Sequence, residues 1–294
     1  MDVFVKSPTP DFVWVFSDYK QAEAMVVAWA GPVPSMKHWF RTGQDVHLRV
    51  AQLIARAVVD HRITMPRGLF ATKLPEELTK EDPERQTGKN CVHANNYGLG
   101  VHKFALLTGL PVGYAKVVQE IYHRSVPEIK GGYQAWIKEC LKKRRIYTPM
   151  GWKYDFYGAY SDDLEREAFA LYPQSTVGHL LVQTLCEVGE VFEKELPEAD
   201  VVPGLRYYSS VHPGNSMAWT PKALASRGLD NRLNVHDSIG VSTPNDRDCI
   251  DFVCRTIKRL GEVELLIKDD VLVIPLDFKV GPNWGDAHDY EVAT

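Results

Sequence analysis

Three groups of residues have the types and spacings that phosphate chemistry needs. The first is Ser17-Asp18-Tyr19-Lys20-Gln21-Ala22-Glu23, where an apolar run over residues 12–16 delivers an aspartate at its end. Asp18 ahead of an apolar helix is equally a good N-cap, with Glu23 a first-turn charge. The second is Val235-His236-Asp237-Ser238, a His-Asp pair flanked by apolar residues as in a tight turn between strands. Polar residues at a turn tip need no catalytic role. The third is Arg85, Lys89, His93 and Tyr97, spaced four apart. Four-residue steps keep side chains along one helix face, drifting about 40° per step. Like charges at that spacing cost the helix roughly 0.2–0.5 kcal/mol. The stripe therefore either meets an anion or is a solvated basic face. Two aspartates from separate strands could hold two divalent cations. Bare carboxylates about 4 Å apart would repel by about 4 kcal/mol at an effective dielectric of 20, and Mg²⁺ relieves this with oxygen ligands. Arg85 and Lys89 would then neutralise a triphosphate, and Tyr97 would offer a face for a base.

The elements that must position these groups follow a strand–helices–strands order. Residues 12–16 read as a strand, and 21–30 as a helix stopped by Gly31-Pro32-Val33-Pro34. Residues 45–60 have apolar positions at helical spacing: Val46, Val50, Leu53, Ile54 and Val58. Residues 73–84 read as a loop or small insertion. Further helices are predicted at 84–97 (weakened by Gly88), 112–125, 132–144 and 162–194. Residues 198–232 read as loop. The last sixty residues are β-rich: 234–241, 263–267, 271–274 and 276–280 read as strands, with a helix near 246–260. The first strand is expected to share a sheet with the last ones, with the helical block inserted between them.

Composition narrows the class without choosing a chemistry. At 294 residues, 45% apolar and 24% charged, the chain is of ordinary globular composition and large enough to bury a core. No apolar run nears the roughly 20 residues of a bilayer span, and no cationic-then-apolar leader is apparent. Five cysteines without a CxxC pair fit reduced thiols and a cytoplasmic location. A net charge of −4 gives no global attraction to nucleic acid, but a local basic groove can still supply one.

The ordered set of motifs resembles the polymerase module of family A DNA polymerases, the group of bacterial DNA polymerase I and its phage relatives. Asp18-Tyr19-Lys20-Gln21-Ala22-Glu23 is similar to motif A (D-Y-S-Q-I-E). Arg85, Lys89, His93 and Tyr97-Gly98 resemble motif B (R-x₃-K-x₃-F-G-x₂-Y-G), and Val235-His236-Asp237 resembles motif C (V-H-D-E). Asp45-Val46-His47 matches the D-I-H step after motif A. Residues 166–174 (REAFALYPQ) resemble the helix running into P-V-Q-G, and Pro275-Leu276 to Gly281-Pro282-Asn283-Trp284 resembles the C-terminal strand and tail.

The resemblance implies an α+β fold: an antiparallel palm sheet from 1–44 and 171–294, with helical fingers from 45–170 inserted. It implies that Asp18 and Asp237 ligate two Mg²⁺ ions (Mn²⁺ possible) with help from the Tyr19 carbonyl. Tyr19, Gln21, Glu23, His47, Arg85, Lys89, His93 and Tyr97 would form the nucleotide site. Glu23 would exclude a ribose 2′-hydroxyl, and Lys89 would protonate the leaving pyrophosphate. Arg166, Gln174 and His236 would touch primer–template DNA. Partners would be that DNA and dNTPs, with no membrane, in the cytoplasm (the host's, for a phage protein).

Departures accompany the match. His93 and Ala94 stand where the family has Phe and Gly, Ser238 where it has Glu, and Ala170 where it has Asn. The segments 60–84 and 198–232 exceed the family norm. His-Asp-Ser resembles single-subunit RNA polymerases, whereas Glu23 favours deoxynucleotides. Seventeen residues precede Asp18, so no thumb and no 3′–5′ exonuclease domain is expected. Those parts hold duplex DNA through phosphate contacts. The expectation is the catalytic half of a split DNA polymerase, completed by a second polypeptide that carries them. The alternatives are a truncated gene product, a minimal distributive enzyme, a ribo-tolerant or RNA polymerase-like enzyme, or an inactive nucleic-acid-binding remnant.

Overall fold

The computed structural model describes residues 12–60, 70, 73–195, 230–235 and 238–292. In chain order the elements are β1 (Phe12–Tyr19), α1 (Ala22–Ala30), α2 (Pro34–Arg41), α3 (Val46–Val59), α4 (Glu84–Asn96), α5 (Val101–Thr108), α6 (Val112–Ser125) and α7 (Ala135–Lys142). Then come β2 (Arg145–Tyr147), β3 (Lys153–Asp155), α8 (Asp162–Glu195), β4 (Asp230–Val235), β5 (Ser238–Pro244), α9 (Arg247–Gly261), β6 (Leu265–Ile267), β7 (Asp270–Leu272), β8 (Leu276–Gly281) and β9 (His288–Asp289). A 3₁₀ turn at Pro75–Glu77 and a π-helical turn at Ile129–Gln134 complete them.

These elements form two compact units. One comprises the described residues of Met1–Lys20, Val177–Glu264 and Val273–Thr294; the other comprises those of Gln21–Thr176 with Leu265–Leu272. The expected division was 1–44 and 171–294 against 45–170. In the structure residues 21–44 and the β6–β7 hairpin group with the helices.

The first unit is built on an antiparallel sheet of order β4-β5-β1-β8-β9. As expected, the first strand pairs with late ones: β1 lies between β5 and β8. A central strand is covered on both faces, so its sequence is apolar almost without interruption. Val13, Trp14, Val15 and Phe16 are all buried. Helix α9 packs on β1, β5 and β8 through buried Ile250, Val253, Cys254 and Ile257. The segment 230–232, expected in a loop, belongs to β4, and the rest of the expected 198–229 loop lies outside the described residues.

The second unit is mostly helical. Two of its helices escape a sequence reading. Pro34 looks like a stop but sits in the first turn of α2, where its missing N–H has no helical partner to lose. Helix α5 follows Gly100 within a run that carries no clear signal. The β6–β7 hairpin joins this unit through side chains: Trp29 Nε1 donates to the Val271 carbonyl (2.9 Å), and Lys37 and Arg41 both pair with Asp270 at 2.8 Å.

Helix α3 packs extensively on α4. Gly88 makes this possible, because a Cβ there would stand 2.1 Å from the His47 carbonyl oxygen. The residue that weakens α4 as an isolated helix is thus the one that lets it press on α3. Further along, Pro173 inside α8 cannot donate to the Phe169 carbonyl. The Tyr133 hydroxyl donates to that carbonyl instead (2.5 Å).

Candidate active site

In the sheet unit the first expected site residue within the described structure is Asp18. It is not a helix cap: its Cα pairs with Ser238 of β5 and with Asp277 of β8, within the ladder. The residue ahead of α1 is Gln21, in a left-handed conformation (φ 50°), and its side chain makes no cap bond to α1. Along β1, the side chains of Trp14, Phe16 and Asp18 share a face. The first two are buried and Asp18, at the strand end, is exposed. Ser238 Oγ donates to Asp18 Oδ1 at 2.6 Å. Asp277 stands directly opposite Asp18 and pairs with Lys20 at 2.5 Å. Sequence reasoning passed over Asp277. Its signal was the register of the Leu276–Gly281 strand, which needs the sheet order to be read.

Tyr19 points to the opposite face. Its hydroxyl donates to the Gly261 carbonyl (3.1 Å) and lies 2.9 Å from Thr184 Oγ1, and burial pushes its pKa up to about 12. The side chain is an anchor that fixes the end of β1. His236 and Asp237 lie outside the described residues, so the expected meeting of Asp18 with Asp237 does too. Ser238, which follows them in sequence, is the residue that faces Asp18. Among the described residues no three His, Cys, Asp or Glu side chains gather as metal ligands.

In the helical unit, α4 and Tyr97 at its C-terminal end present three of the four expected residues to an interlocked set of partners. Arg85 donates through Nε (3.1 Å) and Nη2 (2.6 Å) to Asp45 Oδ2. The other oxygen of Asp45 accepts the Leu48 N–H (2.8 Å) and caps α3. Burial raises the Asp45 pKa, but the bonds from Arg85 and Leu48 outweigh it and the net shift is downward. The like-charge cost along α4 is thus relieved by Asp45, which sequence reasoning placed only in the D-x-H step. Gln21 Oε1 accepts the Val46 N–H (2.9 Å), so the turn after β1 also ties down the start of α3.

His93 and Tyr97 converge on Glu23, the only charged residue of α1. His93 Nδ1 lies 3.3 Å from Glu23 Oε2, and the Tyr97 hydroxyl donates to the same oxygen. Burial raises the Glu23 pKa, while the bonds from His93 and Tyr97 and the charge of Lys89 lower it further, leaving it depressed. Burial, then the Glu23 charge, holds the Tyr97 hydroxyl well above its ordinary range. The His47 ring stands 5.4 Å from the His93 ring. It is buried, and neither of its nitrogens has a hydrogen-bond partner. Burial first, and then the His93 charge, lowers its pKa to about 3. Lys89 is exposed.

The other two expected DNA contacts lie on α8. Arg166 pairs with Asp163 at 2.6 Å, and Gln174 is exposed just after Pro173.

No family model matches the chain. Curated relatives do. It is 28% identical over 142 residues (48% of this chain, 20% of the relative) to a DNA polymerase of Mycobacterium phage D29. It is 25% identical over 200 residues (66% and 19%) to DNA polymerase I of Helicobacter pylori, and 23% identical over 286 residues (94% and 24%) to DNA polymerase I of Deinococcus radiodurans. The chain resembles family A DNA polymerases. It spans about a quarter or less of the length of these polymerases. Its fold is similar to part of a polymerase domain. The structure of the POL domain of Pol1 from M. smegmatis, in complex with DNA primer-template and dNTP, superposes with a TM-score of 0.65 at 16% identity, over 96% of this chain and 41% of that one. Among the described residues no helix is long and apolar enough to cross a membrane.

Proposed function

We propose that this chain is the palm-and-fingers half of a template-directed DNA polymerase, adding dNTPs to a primer 3′-hydroxyl. The carrying observation is that 96% of it follows the fold of a polymerase domain solved with primer-template and dNTP. The sheet unit would be the palm and the helical unit the fingers.

Asp18 suits a hard divalent cation: it is an exposed carboxylate at a strand end, oriented by Ser238. Asp18, Asp237 and the Tyr19 carbonyl would hold two Mg²⁺ ions. Bound there, the metal supplies charge neutralisation at the attacking and leaving oxygens. Lys89 would bind the triphosphate and give a proton to the departing pyrophosphate. Arg85 would contribute the N–H groups not engaged by Asp45. His47, whose ring nitrogens have no partner, would donate its single N–H to a phosphate oxygen. Glu23, fixed by His93 and Tyr97, would form the floor that rejects a 2′-hydroxyl. Arg166, Gln174 and His236 would contact primer–template. The primer 3′-hydroxyl loses its proton to solvent as its oxygen bonds to the α-phosphorus, the bond to the bridging oxygen breaks, and pyrophosphate leaves. Positioning does most of this.

A second polypeptide would supply further hold on the duplex. The test is primer extension with Mg²⁺ and dNTPs, alone and with a candidate partner chain. Extension that survives both Asp18→Ala and Asp237→Ala in the complete mixture overturns the metal assignment.

A ribo-tolerant enzyme is the second reading, favoured by Ser238 in place of Glu and by its bond to Asp18. Equal use of rNTPs and dNTPs, with no further gain in Glu23→Ala, would select it.

A further inference from the structure

The β2–β3 hairpin and its flanks carry a surface that the proposed chemistry leaves unused. Large aromatic side chains stand open to solvent there: Tyr147 is 56% exposed, Trp152 57%, Tyr157 83% and Tyr160 48%. Such a concentration of exposed aromatic area marks an interaction site. Residues 138–160 also hold six Lys or Arg against two Asp or Glu, in a chain whose net charge is negative.

The register interleaves the two kinds of side chain. Arg145 pairs with Asp155, and Tyr147 with Lys153. Opposite and alternate residues share a face, so Tyr147 sits between two cations. Asp155 accepts from Arg145 (2.5 Å) and from Lys153 (2.9 Å) and holds both on that face. Ile146, on the other face, is buried and pins the hairpin to its unit. Lys143 and Arg144 extend the exposed basic edge.

We infer that this hairpin docks single-stranded DNA. Unpaired bases stack on aromatic faces whatever their identity, and the cations track the backbone. A duplex hides its bases and has little use for exposed rings such as Tyr147 and Tyr157. The inference concerns binding alone, and it stands or falls separately from catalysis.

The test is anisotropy of a labelled oligo(dT) titrated with the full chain. Tyr147→Ala with Trp152→Ala weakens binding by about tenfold or more. Lys143→Glu with Lys153→Glu lowers the slope of log affinity against log salt by about 0.7 per cation removed. Tyr157→Ala, at a site too open to carry the fold, weakens binding several-fold. A blunt duplex binds all variants as it binds the wild type. Unchanged oligo(dT) affinity in the aromatic variants overturns the inference. So does an equal loss on the duplex, or competition by polyglutamate as strong as by unlabelled oligo(dT), which would mark a protein-binding surface. If the wild type fails to extend any primer even with the partner chain present, while oligo(dT) binding still depends on these residues, the polymerase reading falls and this one stands.

Discussion

The two units hold their polar groups in opposite ways. In the sheet unit Asp18 is exposed at a strand end and accepts a bond from Ser238. In the helical unit Arg85, Asp45, Glu23, His93, Tyr97 and His47 lie in or at the edge of a packed interior, most of them bonded to one another. A carboxylate meant to take a cation must keep its charge accessible. Groups meant to grip a polyanion gain from being fixed in advance. On the proposed function, activity and stability are therefore expected to separate in the sheet unit and to be entangled in the helical one.

The widest gap between the units is expected at Asp18. Asp18→Ala lowers primer extension by about a thousandfold while unfolding stability moves by no more than about 0.5 kcal/mol. Steady-state kinetics beside urea unfolding reads both.

Arg85→Ala has the opposite signature. It leaves the buried Asp45 carboxylate unpaired, a loss of about 3 kcal/mol in unfolding stability, along with weaker dNTP binding. Adding Asp45→Asn restores part of the stability but not the dNTP affinity. Full recovery of both would show that the pair is only structural.

His47 sharpens the contrast through pH. Its ring stays neutral in the fold down to about pH 3, whereas an unfolded chain protonates it near pH 6.5. The unfolded state therefore binds more protons between those values, so stability falls as pH drops through that window. His47→Asn removes about 2 kcal/mol of this loss at pH 5. It does not remove all of it, because His123, lowered to about 4 by burial, titrates in the same direction. Thermal melts at pH 7 and pH 5 measure the difference.

The smallest effect is expected at Ser238. Ser238→Ala removes the bond to Oδ1 of Asp18 and leaves the fold intact. It raises the Mg²⁺ concentration needed for half-maximal extension by about three- to tenfold, a typical hydrogen-bond contribution. Ser238→Thr, which keeps the hydroxyl, restores the wild-type requirement.

Where a signal lay within a dozen residues, sequence reading located it. The strand ending at Asp18, the helix bearing Arg85 to Tyr97 and the late strands were legible from periodicity, and the sheet that joins first and last strands followed from their apolar character. Distant partners were not legible. Nothing local links Asp45 to Arg85, Glu23 to His93 or Asp18 to Asp277. Pro34 was misread because the same residue that ends one helix can open the next. Asp18 was weighed as a cap because its strand and the following helix are only two residues apart. Gly88 looked like a defect in α4, since its reason is the backbone of another helix.

The order of strands carries a cost during synthesis. The apolar segment Phe12–Tyr19 is made before both of its neighbours, Ser238–Pro244 and Leu276–Gly281, which lie more than 200 positions later. Until they arrive it is a naked hydrophobic edge of the kind that nucleates aggregation. A nascent or C-terminally clipped chain ending before Ser238 would need a chaperone to shield that segment, while its helices could already fold through nearer contacts.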